Sequence, residues 1–130
     1  MTAVRATLLA NGTIRQGGAE LIDAWIRDGD DLLWLDIQQP EEDVLEPLLE
    51  QRFGFHELAA EDTLSPNTLP KYDAFPGYDF FIFRAVDVNV TAHGSQTYKL
   101  AAFLSRNFLI TVHRDPMQAV DDVCNRLVKP

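Results

Sequence analysis

The sequence predicts an α/β fold in which a mixed sheet of parallel and antiparallel strands carries helices on both faces, an α/β/α sandwich. Helical and strand-like segments alternate in the first half of the chain, whereas strand-like segments follow one another in the second half. The 130 residues are 46% hydrophobic and 24% charged, which is an ordinary balance for a globular protein. Because this length leaves no room for a second full core, we expect one domain over residues 1–130.

The first third of the chain predicts a hairpin, a helix and a buried strand. Residues 4–10 and 13–15 are strand-like, and Asn11-Gly12 between them is the dipeptide best suited to a two-residue hairpin turn. A helix is predicted over residues 19–28, because its apolar residues share one face and a glycine follows it. Residues 32–37 form a short apolar run, which is typical of a strand covered on both faces.

Two further helices are predicted next. Pro40 and the acidic residues after it suit a first helical turn, and apolar residues continue at helical spacing to Phe53. Pro47 removes one internal hydrogen bond and should kink or divide this helix, and Gly54 should end it. A short helix over residues 56–64 follows, and then a loop that contains two prolines.

The second half predicts an antiparallel meander. Residues 78–90, 97–104 and 108–113 are rich in aromatic and β-branched residues, and short turns at 93–95 and 105–107 join them. Three consecutive strands with tight links are expected to pair in chain order.

A last helix is predicted to start at Asp115 and Pro116, which suit an N-cap and a first helical position. Its buried face is predicted to consist of Val120, Val123, Cys124 and Leu127. The chain has a single cysteine, so an intramolecular disulfide is excluded, and a core role is expected for it.

Charge excludes some classes of partner. The formal net charge is −9, from 20 acidic and 11 basic residues, so a duplex would repel the chain and we expect no nucleic-acid binding. No apolar run reaches the roughly 18 residues needed to span a bilayer, and no secretory signal is evident. From Glu20 to Asp62 the chain has 14 acidic and 2 basic residues, a net charge of −12. Most of this segment reads as solvated helix faces, but part of it can attract divalent cations.

No pattern of catalytic residues is present in the sequence. It has no phosphate-binding glycine loop, no dinucleotide fingerprint and no nucleophile elbow. His56, His93 and His113 lack metal-ligand spacing and are predicted to be polar edge residues, while Trp25 and Trp34 fit core positions. We therefore expect no enzyme. A metal-dependent hydrolase would need clustered ligands around an open coordination position, and the sequence offers one pair of acids.

That pair is Glu61-Asp62, near the end of the predicted helix 56–64. Adjacent helical residues point about 100° apart, so one carboxylate can pair locally while the other projects outward. Two carboxylates hold hydrated Mg²⁺ only weakly, with a dissociation constant on the order of 1 mM. Glu61 and Asp62 are thus the candidate metal ligands, and a tight site would need further ligands from elsewhere.

Four segments carry a family resemblance in a fixed order. They are Trp34-Leu35-Asp36-Ile37 with Pro40, then 53–62 with its terminal Glu61-Asp62, then Pro70-Lys71-Tyr72-Asp73 with 78–82, and finally 103–113 with Leu109-Ile110-Thr111-Val112-His113. Together they resemble the N-terminal cytosolic domain of CorA-type divalent-cation transporters. The resemblance extends over about residues 32–127, which is most of the chain.

The resemblance implies a fold and a place in a larger protein. Members of this family are homopentameric membrane channels for Mg²⁺, some of which pass Co²⁺ or Ni²⁺, and a related branch moves Zn²⁺. Their cytosolic domain is an α/β/α sandwich followed by a stalk helix and two membrane helices. We therefore expect a soluble domain on the cytoplasmic face of the cell inner membrane that ends before the stalk. Its expected partners are the stalk, the membrane helices and neighbouring subunits, and alone it should be a monomer or weak dimer.

The resemblance also implies a role for the acid pair. The family's aspartate matching Asp62 contributes to a regulatory cation site between neighbouring subunits, and the glutamate matching Glu61 belongs to a second site in some members. The implied function is a magnesium-sensing gate, with weak binding of Mg²⁺ and with Co²⁺, Ni²⁺ or Zn²⁺ as alternative ions. The residues leave one more alternative open, a stand-alone acidic module that binds a partner protein.

Overall fold

The computed structural model describes residues 1–86 and 97–128 and contains a seven-stranded sheet with helices packed against it. The elements in chain order are β1 (Ala3–Ala10), β2 (Thr13–Gly17), α1 (Leu21–Ala24), β3 (Leu32–Gln38), α2 (Glu42–Glu46), the π-helix π1 (Pro47–Arg52), α3 (Glu57–Leu64), β4 (Lys71–Phe75), β5 (Tyr78–Val86), β6 (Thr97–Leu104), β7 (Phe108–His113) and α4 (Gln118–Val128).

The strand order of the sheet is β2-β1-β3-β7-β6-β5-β4. β3 and β7 are parallel, with Leu35 opposite Ile110, and the other neighbouring pairs are antiparallel. The predicted mixed sheet is therefore confirmed, as is the meander of β5, β6 and β7. The parallel pair joins an N-terminal unit of three strands to a C-terminal unit of four strands.

The predicted hairpin at the start of the chain is confirmed. Asn11 and Gly12 have positive φ angles of 53° and 73°, and Ala10 pairs with Thr13 around them. Positive φ at both central residues is what a tight turn requires if its twist is to match that of the two strands. Asparagine and glycine tolerate this conformation better than other residues do.

Helices cover both faces of the sheet, as predicted. The inner face packs against α1, α2, π1 and α3, and alternate residues of β3 point into that core: Leu33, Leu35 and Ile37. The outer face is covered by α4 and by Met117, which precedes it. Met117, together with Val120 and Cys124 of α4, packs against Trp34, Tyr98 and Leu100. Cys124 is buried, which confirms its predicted core role.

Aromatic rings fill the inner core. Phe55 stacks on Phe103 with ring centroids 4.4 Å apart, and Phe80 lies 4.8 Å from the same ring. Trp25 meets Phe108 edge to face at 5.8 Å. Each of these side chains removes a large apolar area from water, so the cluster anchors the helices to the sheet.

The predicted helix 19–28 is wrong in length. α1 spans one turn, and the backbone becomes extended at Trp25, where ψ is 138°. Trp25 instead turns its ring into the aromatic core and donates from Nε1 to the carbonyl of Asp31. Asp28 adopts a left-handed φ of 64°, which a helix does not contain. Burial of one large aromatic side chain therefore overrides the helical periodicity.

Pro47 divides the next helix, as predicted. α2 ends at Glu46 and π1 begins at Pro47, because proline cannot donate the hydrogen bond that a continuous α-helix would need there. Gly54 follows with a φ of 71° and ends this region. His56 then caps α3, since its Nδ1 accepts from the backbone N–H of Leu58 at 3.0 Å.

Three other expectations need correction. β4 was not predicted as a strand, and it lies at the sheet edge with mostly exposed residues. α4 begins at Gln118, after Asp115 and Pro116, because the chain bends there and the Asp115 carbonyl accepts from His113. Val123 and Leu127, expected in the buried face of α4, are 48% and 39% exposed.

Some predictions fall on residues that the structure does not describe. These are the last part of the strand predicted over 78–90, the turn at 93–95 and His93. Across the two described ranges, no helix combines the length and the apolar character needed to cross a bilayer.

Candidate cation-binding site

α3 places the candidate ligands near its C-terminal end. Ala59 and Ala60 on one side of the helix are buried against the core, so the following acids are carried towards the surface. Thr63 fixes the last turn by donating to the carbonyl of Ala59 at 2.7 Å. Glu61 and Asp62 therefore lie in a helix that is anchored to the core on one side.

Asp62 is held in an ion-paired cluster of three residues. Lys71 on β4 donates from Nζ to Oδ2 of Asp62 at 2.5 Å and approaches Oδ2 of Asp73 at 2.9 Å. The pKa of Lys71 is raised, mainly by its hydrogen bond to Asp62 and next by its hydrogen bond to Asp73. The ammonium therefore stays charged. The three side chains are between 30% and 42% exposed and line one shallow pocket. One lysine thus occupies the position between two carboxylates that a cation could take.

Glu61 does not share this cluster. It is exposed, and the described part of the chain offers its carboxylate no ion pair or hydrogen bond. Its backbone carbonyl accepts from the N–H of Ser65 at 3.0 Å. The structure therefore does not bring the two predicted ligands onto a common point, which is the result expected for adjacent residues on a helix.

The residues present supply only part of a divalent-cation site. Mg²⁺ prefers six oxygen ligands in near-octahedral geometry. Among the described residues, no group of three or more histidine, cysteine, aspartate or glutamate side chains surrounds one point. Asp62 would offer its carboxylate once Lys71 moved fully onto Asp73. Water or another chain would have to provide the remaining ligands.

A second lysine fixes the backbone beneath Asp62. Lys99 on β6 donates from Nζ to the carbonyls of Asp62, Thr63 and Ser65, the contact with Thr63 being 3.0 Å. A cation at this end of a helix also interacts favourably with the helix dipole. Burial and the neighbouring Arg84 lower the pKa of Lys99 to about 8, although Asp62 opposes the shift. Sequence reasoning missed this contact because 37 residues separate Lys99 from Asp62.

The outer face contains a separate buried polar network. His113 is 3% exposed, so it is not the polar edge residue that the sequence predicted. Its Nε2 lies 2.8 Å from Oδ1 of Asp36, which also accepts from the hydroxyl of Thr111 at 2.7 Å. Arg5 bridges Oδ2 of Asp36 to Asp121 on α4. The network ties α4 to the sheet, and no part of it faces the Asp62 cluster.

Two sequence comparisons find proteins similar to this chain. The family profile described as "CorA-like Mg2+ transporter protein" matches residues 29–129. A relative from Bacillus subtilis (strain 168), named "Putative metal ion transporter YfjQ", is 31% identical over 94 residues, which are 72% of this chain. The chain spans 28% of the length of that relative.

Solved structures share the fold. The full-length CmaX protein superimposes with a TM-score of 0.78 over 95% of this chain and 38% of its own, at 21% identity. The complete CorA magnesium transporter from Methanocaldococcus jannaschii gives 0.73 over 97% and 37%, at 17% identity. The ZntB cytoplasmic domain from Vibrio parahaemolyticus RIMD 2210633 gives 0.73 over 99% and 51%, at 12% identity.

Proposed function

The chain belongs to the CorA-like Mg²⁺ transporter family, and on that premise we propose that it is the cytosolic, cation-sensing domain of a divalent-cation transporter. The pore would lie outside these 130 residues, in membrane helices of a longer protein at the cell inner membrane. Mg²⁺ is the proposed cargo, and the domain itself has a regulatory rather than a catalytic role. The observation that carries the proposal is the Asp62 carboxylate, which is partly exposed and held by an exchangeable lysine.

The proposed sensor works by exchange of one cation for another. Lys71 already contacts both Asp62 and Asp73, so it can keep Asp73 as a partner when Mg²⁺ takes Asp62. An exposed ion pair of this kind is worth only about 0.2–1 kcal/mol, so its loss is a small cost to metal binding. The missing ligands would come from a neighbouring subunit of a homopentamer, which makes the complete site an interface.

Such an interface can act as a gate. A cation shifts the equilibrium between two arrangements of subunits only by its difference in affinity for them. Mg²⁺ shared between Asp62 and a facing subunit favours the closed arrangement when the cytosolic concentration is high. When the ion leaves, the facing carboxylates repel each other and the open arrangement gains population. Glu61, which does not share the Asp62 cluster, would belong to a second site.

A zinc-transporting member of the same family is the second candidate. The likeness to the ZntB cytoplasmic domain supports it at the level of the fold. The acidic side chains of the Asp62 cluster offer only oxygen ligands and favour Mg²⁺ instead, because Zn²⁺ prefers nitrogen and sulfur ligands. Competition between the two ions for the same variant proteins separates these candidates.

Titration of the 130-residue chain with Mg²⁺ tests the sensor. We expect weak, saturable binding with a dissociation constant on the order of 1 mM, which Asp62→Asn abolishes. Glu61→Gln should leave this binding step in place. Asp43→Asn changes an exposed acid at the start of α2 and is the control for general loss of negative charge. Equal titrations for wild type and Asp62→Asn would refute the role of Asp62 in this chain.

A further inference from the structure

Three cationic side chains form a row across neighbouring strands of the inner face. Arg84 on β5 is the direct cross-strand partner of Lys99 on β6. On the other side, Ala101 pairs with Val112, and the same register continued by two residues brings Arg114 beside Lys99. Like charges directly opposite each other destabilise a sheet, so such a row calls for a compensating partner.

The described residues provide no ion-pairing carboxylate for this row. Within residues 1–86 and 97–128, neither Arg84, Lys99 nor Arg114 forms an ion pair, although the chain has 20 acidic residues. Other basic residues in the same ranges do find acids: Arg52 pairs with Asp23, and Arg5 with Asp36 and Asp121. The row is therefore a cluster of three cations that lack an ion pair among the described residues of a strongly acidic protein.

Backbone carbonyls satisfy part of the row. Lys99 donates from Nζ to three backbone carbonyls at the C-terminal end of α3. One terminal nitrogen of Arg84 donates to the carbonyls of Pro66 and Thr68. Within the two described ranges, the Nε–H and the other terminal nitrogen of Arg84 have no hydrogen-bond partner. Arg114 is exposed and makes no hydrogen bond within the described part of the chain. Donors of two guanidinium groups are thus open to a ligand.

All three side chains line one pocket of about 140 Å³, together with Ser65, Asp115 and neighbouring residues. We propose that this pocket binds one small oxyanion of the phosphate type, with Arg84 and Arg114 as hydrogen-bond donors and Lys99 as an added charge. Guanidinium groups fit the oxygens of such anions by paired hydrogen bonds. The volume is below the roughly 300 Å³ at which pockets for drug-sized ligands begin, so a free inorganic anion fits better than a nucleotide.

The remaining charges set the strength and class of the ligand. Asp115 lines the pocket and opposes an anion, so we expect a dissociation constant on the order of 1 mM. The net charge of −9 repels nucleic acids and anionic bilayers over longer distances. A small free anion, which can enter the pocket alone, is the occupant that meets both constraints.

Calorimetric titration with sodium phosphate, against sodium chloride at equal ionic strength, tests the proposal. Phosphate should bind saturably, and Arg114→Gln should weaken binding at least fivefold without affecting the fold, because Arg114 is exposed. Arg84→Gln should also weaken phosphate binding at least fivefold. Arg15→Gln, which removes a charge from exposed β2, is the matched control and should bind as wild type does. Equal binding by Arg114→Gln and Arg15→Gln, or an equal response to chloride, would overturn the proposal.

Discussion

His113 and Asp36 form a buried ion pair on the outer face of the sheet. His113 Nε2 lies 2.8 Å from Oδ1 of Asp36, and its Nδ1 lies 2.7 Å from the carbonyl of Asp115. A carbonyl and a carboxylate can only accept, so both ring nitrogens carry protons and the imidazole is cationic. This pair connects β3, β7 and the segment that leads into α4.

The pair makes stability depend on pH. Burial lowers the pKa of His113, but hydrogen bonds to Asp36 and to the Asp115 carbonyl outweigh it, and the net pKa lies above 6.5. The pair's contribution is therefore fully present below about pH 6.5 and is lost as pH rises through the raised pKa. For Asp36, burial raises the pKa, but bonds from His113, Thr111 and Arg5 lower it overall. The contribution of Asp36 to stability is therefore lost only as pH falls through its lowered pKa.

Urea unfolding between pH 5 and pH 9 measures this dependence. As pH rises above about 6.5, the free energy of unfolding of the wild type should fall by up to about 1.4 kcal/mol per pH unit because of this single proton. His113→Gln removes the proton and should flatten the curve in the same window. Identical slopes for the two proteins would contradict a protonated His113 in the folded state.

Truncation of the aromatic core should be costly. Phe103 is fully buried and contacts Phe55 and Phe80, so Phe103→Ala should lower the free energy of unfolding by about 3–5 kcal/mol. Phe83→Ala removes the same atoms from a side chain that is 48% exposed, and its cost should be under about 1 kcal/mol. Chemical denaturation measures the free energy of unfolding of both variants. Similar losses would contradict the assignment of Phe103 to the core and of Phe83 to the surface.

Replacement of Lys71 should strengthen cation binding at Asp62. Lys71→Gln removes the competing ammonium, so Mg²⁺ affinity should rise about twofold to fivefold, the range of an exposed ion pair. Asp73→Asn leaves Lys71 with Asp62 alone and should lower the affinity. Arg15→Gln makes the same change in net charge far from the site and controls for it. Calorimetry that gave equal gains for Lys71→Gln and Arg15→Gln would exclude cation exchange.

Backbone strain at Gly54 gives a prediction about stability. Gly54 has a φ of 71° with open space where a Cβ would stand, so substitution costs strain but causes no collision. Gly54→Ala should cost about 1 kcal/mol. Asparagine tolerates positive φ better, so Gly54→Asn should cost less. Thermal unfolding checks the order, and a more severe effect from asparagine would contradict the backbone explanation.

Local patterns in the sequence predicted much of the fold. The turn at Asn11-Gly12, the central strands, the division at Pro47 and α3 all follow from signals within a few residues. The family resemblance also follows from short segments, and the family profile confirms it. These features depend on backbone preference and on periodicity, which one sequence displays.

The failures arise where distant residues decide. Trp25 leaves its predicted helix because Phe53 and Phe108 offer a place for its ring. His113 is buried because Asp36, 77 residues away, compensates its charge. Lys71 and Lys99 meet Asp62 only after β4 and β6 join the sheet. Sequence spacing does not reveal contacts between residues so far apart in the chain, so the environment of Asp62 could not be predicted.

The parallel pairing of β3 with β7 has a consequence during synthesis. The paired residues Leu35 and Ile110 are 75 positions apart in the sequence. β4, β5 and β6, which lie between the two strands in the sequence, pair with one another and are synthesised before β7. While the nascent chain emerges, β3 presents an open, apolar edge that has no permanent neighbour. Slow closure of such a long loop leaves that edge open to misassembly with other chains. The fraction of nascent chains that fold correctly should therefore depend on how quickly β7 is synthesised and on whether a chaperone covers the free edge of β3 until then.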